Sequence, residues 1–192
     1  MMRVLGLLIV ALMTGCASSP PLQYYSLQGA SQPVVVANPG AKLTVYIGPV
    51  TVPEALDRPQ LVYREGDHIS VLDGQRWIEP LKIAAGRVLA ATLTADLGGA
   101  IVGAYPGTAL TSATYRVQVE IQQLEAALSG AISFAAVWSV RTESADPLTG
   151  RTFGTTQGAA DYHVMAVAYT QAVMSIGHDI AAALRANLGN QK

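Results

Sequence analysis

The sequence predicts an α+β fold, in which a largely antiparallel sheet carries two long helices on one face within a single domain. Two stretches, 115–122 and 132–141, alternate between apolar and polar residues, as strands with one buried face do. Two others, near 81–97 and 164–188, repeat apolar residues every three or four positions, as amphipathic helices do. Each of these helices follows a group of strands, which is the order typical of an α+β fold.

Short strands precede the first helix. Residues 22–27 are too aromatic for a bare tether and predict a first short strand, although a sticky, unstructured linker is the alternative. Residues 42–52 are rich in β-branched side chains and predict a second strand. Residues 60–65 and 68–72 flank the turn-forming pair Gly66-Asp67 and predict a hairpin.

The first long helix follows these strands. Pro80 fits the first turn of that helix, because a backbone N–H would be unpaired there in any case. Residues 100–104 predict a short apolar strand that precedes the two alternating strands. A weaker strand at 151–160 follows them, and the helix at 164–188 closes the domain.

The N-terminus has the organisation of a secretory signal peptide. Met1–Arg3 form a short basic start, and residues 4–13 are almost entirely apolar. This run is too short to cross a hydrocarbon core as a helix, which takes about 20 residues. Small residues at Thr14-Gly15 then lead into Cys16, in a pattern that resembles a bacterial lipoprotein signal. An ordinary signal peptide followed by an incidental cysteine is the alternative.

Cys16 is the only cysteine of the chain and is the predicted lipidation site. An unpaired thiol is unusual in a secreted domain. Lipidation would convert the thiol of Cys16 into a thioether, so no free thiol would remain. Two or more acyl chains anchor a protein stably, and a single chain does so only marginally. Ala17, rather than aspartate, follows the cysteine, which by resemblance to the lipoprotein sorting rule favours the inner leaflet of the outer membrane with the domain facing the periplasm. The expected organisation is a signal peptide at 1–15, a lipidated linker with the first strand at 16–41, and the α+β domain at 42–192.

The composition argues against a nucleic-acid partner. The chain carries 12 basic and 13 acidic residues, and the signal segment removes only Arg3, so the mature charge is about −2, without the basic face that nucleic acid requires. Only 13% of the residues are charged and 51% are hydrophobic. We expect an oligomer, a partner interface or a lipid-facing surface to cover part of this apolar content.

No constellation of residues points to catalysis, a metal or a cofactor. The three histidines, His68, His163 and His178, are far apart in sequence and match no metal-ligand spacing. No serine lies in a nucleophile elbow. The nearness of His163 to Asp161 leaves a periplasmic hydrolase as a third hypothesis. The sequence therefore predicts a protein that is not an enzyme and holds no cofactor apart from the lipid on Cys16.

A cluster of polar and aromatic residues lies between the first strands and the first helix. Its members are Asp57, Arg58, Arg76, Trp77 and Glu79. One interpretation is architectural: an Asp–Arg turn, a tryptophan packed on the sheet and a proline that starts the helix. The other is a partner interface, since Trp and Arg dominate interface hot spots.

These segments carry a family resemblance that extends over essentially the whole mature chain. The ordered elements are the lipoprotein signal, Tyr24–Leu27, Ile47–Pro53, Leu56–Val62, Trp77–Leu81 and Trp138. Together they resemble the ABC-transport auxiliary lipoproteins of the PqiC-like (YmbA-like) intermembrane transport type. Beyond Gly98 the resemblance depends on pattern more than on identical residues.

The resemblance implies a non-enzymatic role in the periplasm. Such lipoproteins work with an MCE-domain protein and its inner-membrane partner in a conduit for lipids, which supports envelope integrity. Ring-like homo-oligomers are also implied. A regulator of cell-wall synthesis or envelope assembly, which acts by protein–protein contact, is the alternative.

Overall fold

The computed structural model describes residues 21–28, 43–110, 112–142 and 146–190. Eight strands and two α-helices follow one another in these segments, in the following order. They are β1 (Gln23–Tyr25), β2 (Thr44–Ile47), β3 (Gln60–Glu65), β4 (His68–Trp77), α1 (Leu81–Asp96), β5 (Ile101–Ala104), β6 (Tyr115–Ala126), β7 (Ile132–Arg141), β8 (Leu148–Thr156) and α2 (Tyr162–Asn190). The predicted α+β class with two long helices is confirmed.

Five strands form the larger sheet, in the order β5-β2-β6-β7-β8. β6, β7 and β8 are antiparallel, whereas β2 is parallel to both of its neighbours. In β6 the apolar set that includes Tyr115 and Val117 is buried, and the intervening polar side chains are exposed. The alternation predicted for β6 is therefore confirmed, because each successive side chain of a strand points to the opposite face.

Three strands form the smaller sheet, in the order β1-β4-β3. β3 and β4 make the predicted hairpin around Gly66, whose φ of 62° suits glycine. β4 continues to Trp77, beyond the predicted end at Leu72, because residues 73–75 form a bulge. β1 pairs in parallel with Gln75–Trp77, the last residues of β4. The division of the strands between two mixed sheets was not part of the sequence prediction.

Both helices cover the same face of the five-stranded sheet. α1 begins directly after Pro80 and packs over β5 and β2, while α2 packs over β7 and β8. α2 starts two residues earlier than predicted, where the Asp161 carboxylate accepts the Val164 N–H at 3.0 Å. The two helices approach closely, since a β-carbon at Gly177 would lie 2.9 Å from Thr92.

Two large aromatic side chains of β7 lie opposite glycines of β8. Trp138 pairs with Gly150, and Phe134 pairs with Gly154. A β-carbon at Gly150 would meet the indole at 2.1 Å, so glycine provides the space in which this buried ring lies. The indole N–H donates to Thr152 Oγ1 at 3.1 Å, which satisfies the polar end of the ring.

Tyr169 of α2 and a surface ion pair join the two sheets. The Tyr169 ring is 1% exposed and meets Trp77 of β4 edge-on, with the ring centroids 5.3 Å apart. Nearer the surface, Arg64 of β3 donates two hydrogen bonds to the carboxylate of Glu125 of β6, at 2.9 and 2.8 Å. The contacts between the small sheet and the rest of the domain therefore include an aromatic pair in the core and an ion pair nearer the surface.

Candidate functional site

The predicted lipidation site, Cys16, lies outside the described residues, as does most of the segment 16–41. The described residues begin at Pro21, and β1 begins at Gln23, seven positions after the cysteine. The short strand predicted at 22–27 is present as β1. Lipidation of Cys16 stays a prediction.

The structure brings most of the predicted interface cluster together around one open depression at the start of α1. Residues 57–59 and 77–80 line this depression, so Asp57, Arg58, Trp77 and Glu79 are neighbours. The juxtaposition arises because the Trp77 backbone N–H donates to the Pro59 carbonyl at 2.7 Å. Arg76 is not part of the lining, since its side chain points away from Trp77 on the strand.

Trp77 forms the inner wall of this depression and belongs to the core. It is 6% exposed and packs against Tyr169, whose phenol donates a long hydrogen bond, 3.4 Å, to the Val62 carbonyl. Burial raises the pKa of the Tyr169 phenol, so the group stays protonated at neutral pH. These contacts fit the architectural interpretation of Trp77, and the interface role predicted for the cluster stays a prediction.

The acidic residues of the cluster have basic partners on α1. The Asp57 carboxylate accepts a hydrogen bond from Lys82 Nζ at 2.9 Å, and Glu79 pairs with Arg87. Exposed pairs of this kind contribute about 0–1 kcal/mol each. Arg58 is exposed and forms no ion pair with any of the residues that the structure describes. The depression therefore presents an unpaired guanidinium beside apolar side chains. These groups together can bind a ligand or a partner protein.

The histidines do not assemble into a reaction centre. His178 Nδ1 lies 2.6 Å from Asp96 Oδ2, on an exposed part of the contact between the two helices. His163 is exposed in the first turn of α2, where Asp161 serves as the helix cap. Within the described ranges, no group of three His, Cys, Asp or Glu side chains is arranged to hold a metal ion.

The outer face of the small sheet was missed by the sequence analysis. This outer face consists of Leu22, Tyr24, Arg76 and Ile78, and it lies opposite the face that carries Trp77. Tyr24 pairs with Arg76 in register, and the Ile78 N–H donates to the Tyr25 carbonyl at 2.8 Å. Leu22, Tyr24 and Ile78 are 46%, 57% and 66% exposed. Alternation in β1 separates Tyr24 from Tyr25, but the parallel pairing with β4 has no local sequence signal.

The inward-facing neighbour, Tyr25, behaves differently from Tyr24. Its hydroxyl donates to Gln75 Oε1 at 2.6 Å, on the face that packs toward the start of α2. Burial, with the nearby Asp161 carboxylate as the second cause, raises the pKa of the Tyr25 phenol. The two tyrosines therefore divide between a packed face and an exposed one.

The five-stranded sheet also has an open face, on the side away from the helices. Phe153 of β8 is 74% exposed there. The guanidinium carbon of Arg151 lies over the Phe153 ring, 5.9 Å from the ring centroid. Val137 of β7 is 36% exposed on the same face. The polar side chains of β6, including Gln118 and Glu120, complete a surface of mixed chemistry.

Neither helix in the described part of the chain combines the length and the apolar character needed to cross a membrane.

Comparison with known proteins identifies the family. The family model of the ABC-type transport auxiliary lipoprotein component matches residues 25–181. A search of the curated proteins gives no match.

Among solved structures, the chain is similar to an uncharacterized protein at 17% identity, over 86% of this chain and 99% of that one, with a TM-score of 0.70. It is also similar to a DUF330 protein from Xanthomonas campestris at 13% identity, over 88% of this chain and 99% of that one, with a TM-score of 0.62. A weaker likeness, TM-score 0.44, relates it at 15% identity to a PelC dodecamer from Paraburkholderia phytofirmans, over 70% of this chain and 84% of that one. The first two likenesses support the fold, and the third is too distant to bear on this chain. The family resemblance predicted from the sequence is confirmed by the family model: the chain belongs to the ABC-type transport auxiliary lipoproteins.

Proposed function

We propose that this protein is a non-enzymatic subunit of an MCE-type, Pqi-like intermembrane lipid transport system that supports envelope integrity. It would be anchored to the inner leaflet of the outer membrane through acyl chains on Cys16. The observation that carries the proposal is the family match over residues 25–181, which makes the chain a transport auxiliary lipoprotein. An MCE-domain protein and its inner-membrane partner are the proposed associates.

The position of the domain relative to Cys16 supports the anchoring. Leu22, which directly precedes β1, lies six positions after Cys16. A segment of that length spans at most about 20–22 Å when extended. An acylated Cys16 would therefore hold the small sheet close to the bilayer, with the rest of the domain directed into the periplasm.

The open face of the five-stranded sheet is the surface that we assign to self-association. The helices cover only the opposite face, and the open face carries Phe153 and Val137 among polar side chains. A mixture of one large aromatic group, arginine and polar residues is typical of protein–protein interfaces. We propose a homo-oligomer, in the form of a ring, as the working assembly.

Affinity purification of the acylated protein from membranes, followed by mass spectrometry, tests the transport role. We expect an MCE-domain protein and its inner-membrane partner among the specific associates. Recovery of a cell-wall synthase or an envelope-assembly protein without an MCE protein would favour the regulatory alternative. Arg58→Ala should weaken the association if the predicted cluster contacts the partner, and Arg185→Ala at the distant end of α2 is the control.

Two further measurements test the anchor and the oligomer. Metabolic labelling with palmitate should reach the native protein and not the Cys16→Ser variant. Sedimentation should show an oligomer that Phe153→Ser dissociates and that Val167→Ser leaves intact, since Val167 is 45% exposed on α2, which covers the opposite face of the sheet. A monomer in the unmodified protein would contradict the proposed assembly.

A further inference from the structure

The outer face of the small sheet carries a group of exposed apolar side chains. Leu22, Tyr24 and Ile78 are the exposed apolar side chains of this face, and all three are at least 46% exposed. They come from two segments that the parallel pairing of β1 and β4 brings side by side. This grouping distinguishes them from apolar residues scattered singly over a surface, which are common.

Two arginines accompany this apolar group without carboxylate partners. Arg76 lies between Tyr24 and Ile78 on the same face, and its Nε donates to the Asp73 carbonyl at 3.3 Å. Arg58 lines the same depression as Ile78. Neither guanidinium forms an ion pair in the described part of the chain, whereas the nearby acidic residues Asp57 and Glu79 are both paired. The carboxylates of Asp57 and Glu79 are therefore already paired, and both guanidinium groups stay free to bind an anionic group.

The tether limits what can cover this surface. Leu22 is itself part of the face and lies six residues from Cys16, so the extended span is at most about 20–22 Å. Tyrosine is enriched at membrane–water interfaces, where its ring is apolar and its hydroxyl is hydrated. Arginine binds phosphate oxygens with two parallel hydrogen bonds. The chemistry and the reach of this face both match a phospholipid headgroup layer.

We propose that the outer face of the small sheet lies on the bilayer that carries the acyl anchor, with Tyr24 and Ile78 in the interfacial layer and Arg58 and Arg76 on lipid phosphates. This inference depends on the proposed acylation of Cys16. It adds a second contact to the anchor and fixes the orientation of the domain. The open face of the five-stranded sheet then stays available for other subunits.

Site-specific fluorescence on the acylated full-length protein tests the orientation. Acylation consumes the only native thiol, so Ile78→Cys introduces a single labelling position on an exposed side chain. Ala186→Cys, at an exposed position near the C-terminal end of α2, is the control. Each labelled protein is reconstituted in vesicles of phosphatidylethanolamine and phosphatidylglycerol that contain a lipid with a nitroxide on its headgroup.

We expect the nitroxide lipid to quench the label at position 78 at least about twofold more than the label at position 186, as interfacial contact requires. Equal quenching at the two positions would overturn the proposal. Protection of position 78 that depends on protein concentration and resists the lipid quencher would also overturn it, because a protein would then cover the face.

Reversal of the charges on the two arginines is a second test of the proposal. Arg58→Glu together with Arg76→Glu should reduce the quenching at position 78 toward that at the control position, whereas Arg185→Glu on α2 should leave it unchanged. Circular dichroism verifies that the variants fold. If the double variant is quenched as strongly as the parent, the assignment of the arginines to phosphates is wrong.

Flotation with the vesicles separates this inference from the proposed function. Flotation that Cys16→Ser abolishes supports the anchor independently of any label. A protein that floats but shows equal quenching retains the anchor and loses the membrane-facing orientation. A protein that does not float contradicts both.

Discussion

Replacement of Gly150 by alanine should destabilise the domain through the Trp138 ring. The β-carbon would lie 2.1 Å from Cζ2 of the indole, whereas ordinary carbon contacts are about 3.5 Å, so the ring must retreat by about 1.4 Å. Trp138 is 7% exposed and lies under α2, so it has little room to move. Overpacking costs about 1–3 kcal/mol, and loss of the Trp138–Thr152 hydrogen bond adds about 0.5–1.5 kcal/mol.

Alanine also reduces the conformational entropy of the unfolded chain relative to glycine. This effect offsets about 0.4–1 kcal/mol of the cost. We therefore expect Gly150→Ala to lower the free energy of unfolding by about 2 kcal/mol, the middle of a range of about 0.5–4 kcal/mol. Gly74→Ala is the matched control: it is also a strand glycine without a positive φ, but its β-carbon would have no atom within 4 Å. The control should be neutral or slightly stabilising.

Urea unfolding followed by circular dichroism measures these differences. Gly154→Ala should fall between the other two variants, since its β-carbon would lie 3.1 Å from the tip of the Phe134 ring. Gly150→Ala should also cost much less in a Trp138→Leu background, because the clashing ring is then absent. If Gly150→Ala is no more destabilising than Gly74→Ala, the close packing of Trp138 on β8 is refuted.

Three further changes test other contacts of the fold by the same unfolding assay. Glu125→Gln should cost less than about 1 kcal/mol at pH 7, because the pair with Arg64 is about one-third exposed and screened by solvent. The Arg64 guanidinium lowers the pKa of the Glu125 carboxyl, so this contribution is complete above the ordinary value of about 4.3 and is lost as the pH falls through the lower folded value. A difference from the parent that persists at pH 2 would contradict this origin. Gly177→Leu should cost at least about 1–3 kcal/mol by forcing α2 away from Thr92 of α1, and unchanged stability would refute the close helix contact. Gly66→Ala should cost about 1–2 kcal/mol, because φ is 62° although the space is open, and Gly66→Asn should recover part of the loss; equal costs would argue against backbone strain.

The sequence by itself determined the elements that depend on local periodicity. The alternation in β6 and the three-to-four residue repeat in α2 were predicted close to their observed bounds, since a strand or a helix places neighbouring residues on a definite face. The family could be recognised from ordered short motifs in the same way. The predicted lipidation at Cys16 is also a local signal, and the labelling experiment is its test.

Only the tertiary structure decided which segments meet across long distances in the sequence. The parallel pairing of β1 with β4 joins residues about fifty positions apart, and it alone creates the outer face of the small sheet. The interface cluster shows the same limit: alternation cannot tell which face of β4 is covered, whereas packing against Tyr169 places Trp77 in the core and leaves Ile78 exposed. Periodicity gives each strand two faces, but which face is buried depends on the elements that pack against it, and those contacts are non-local.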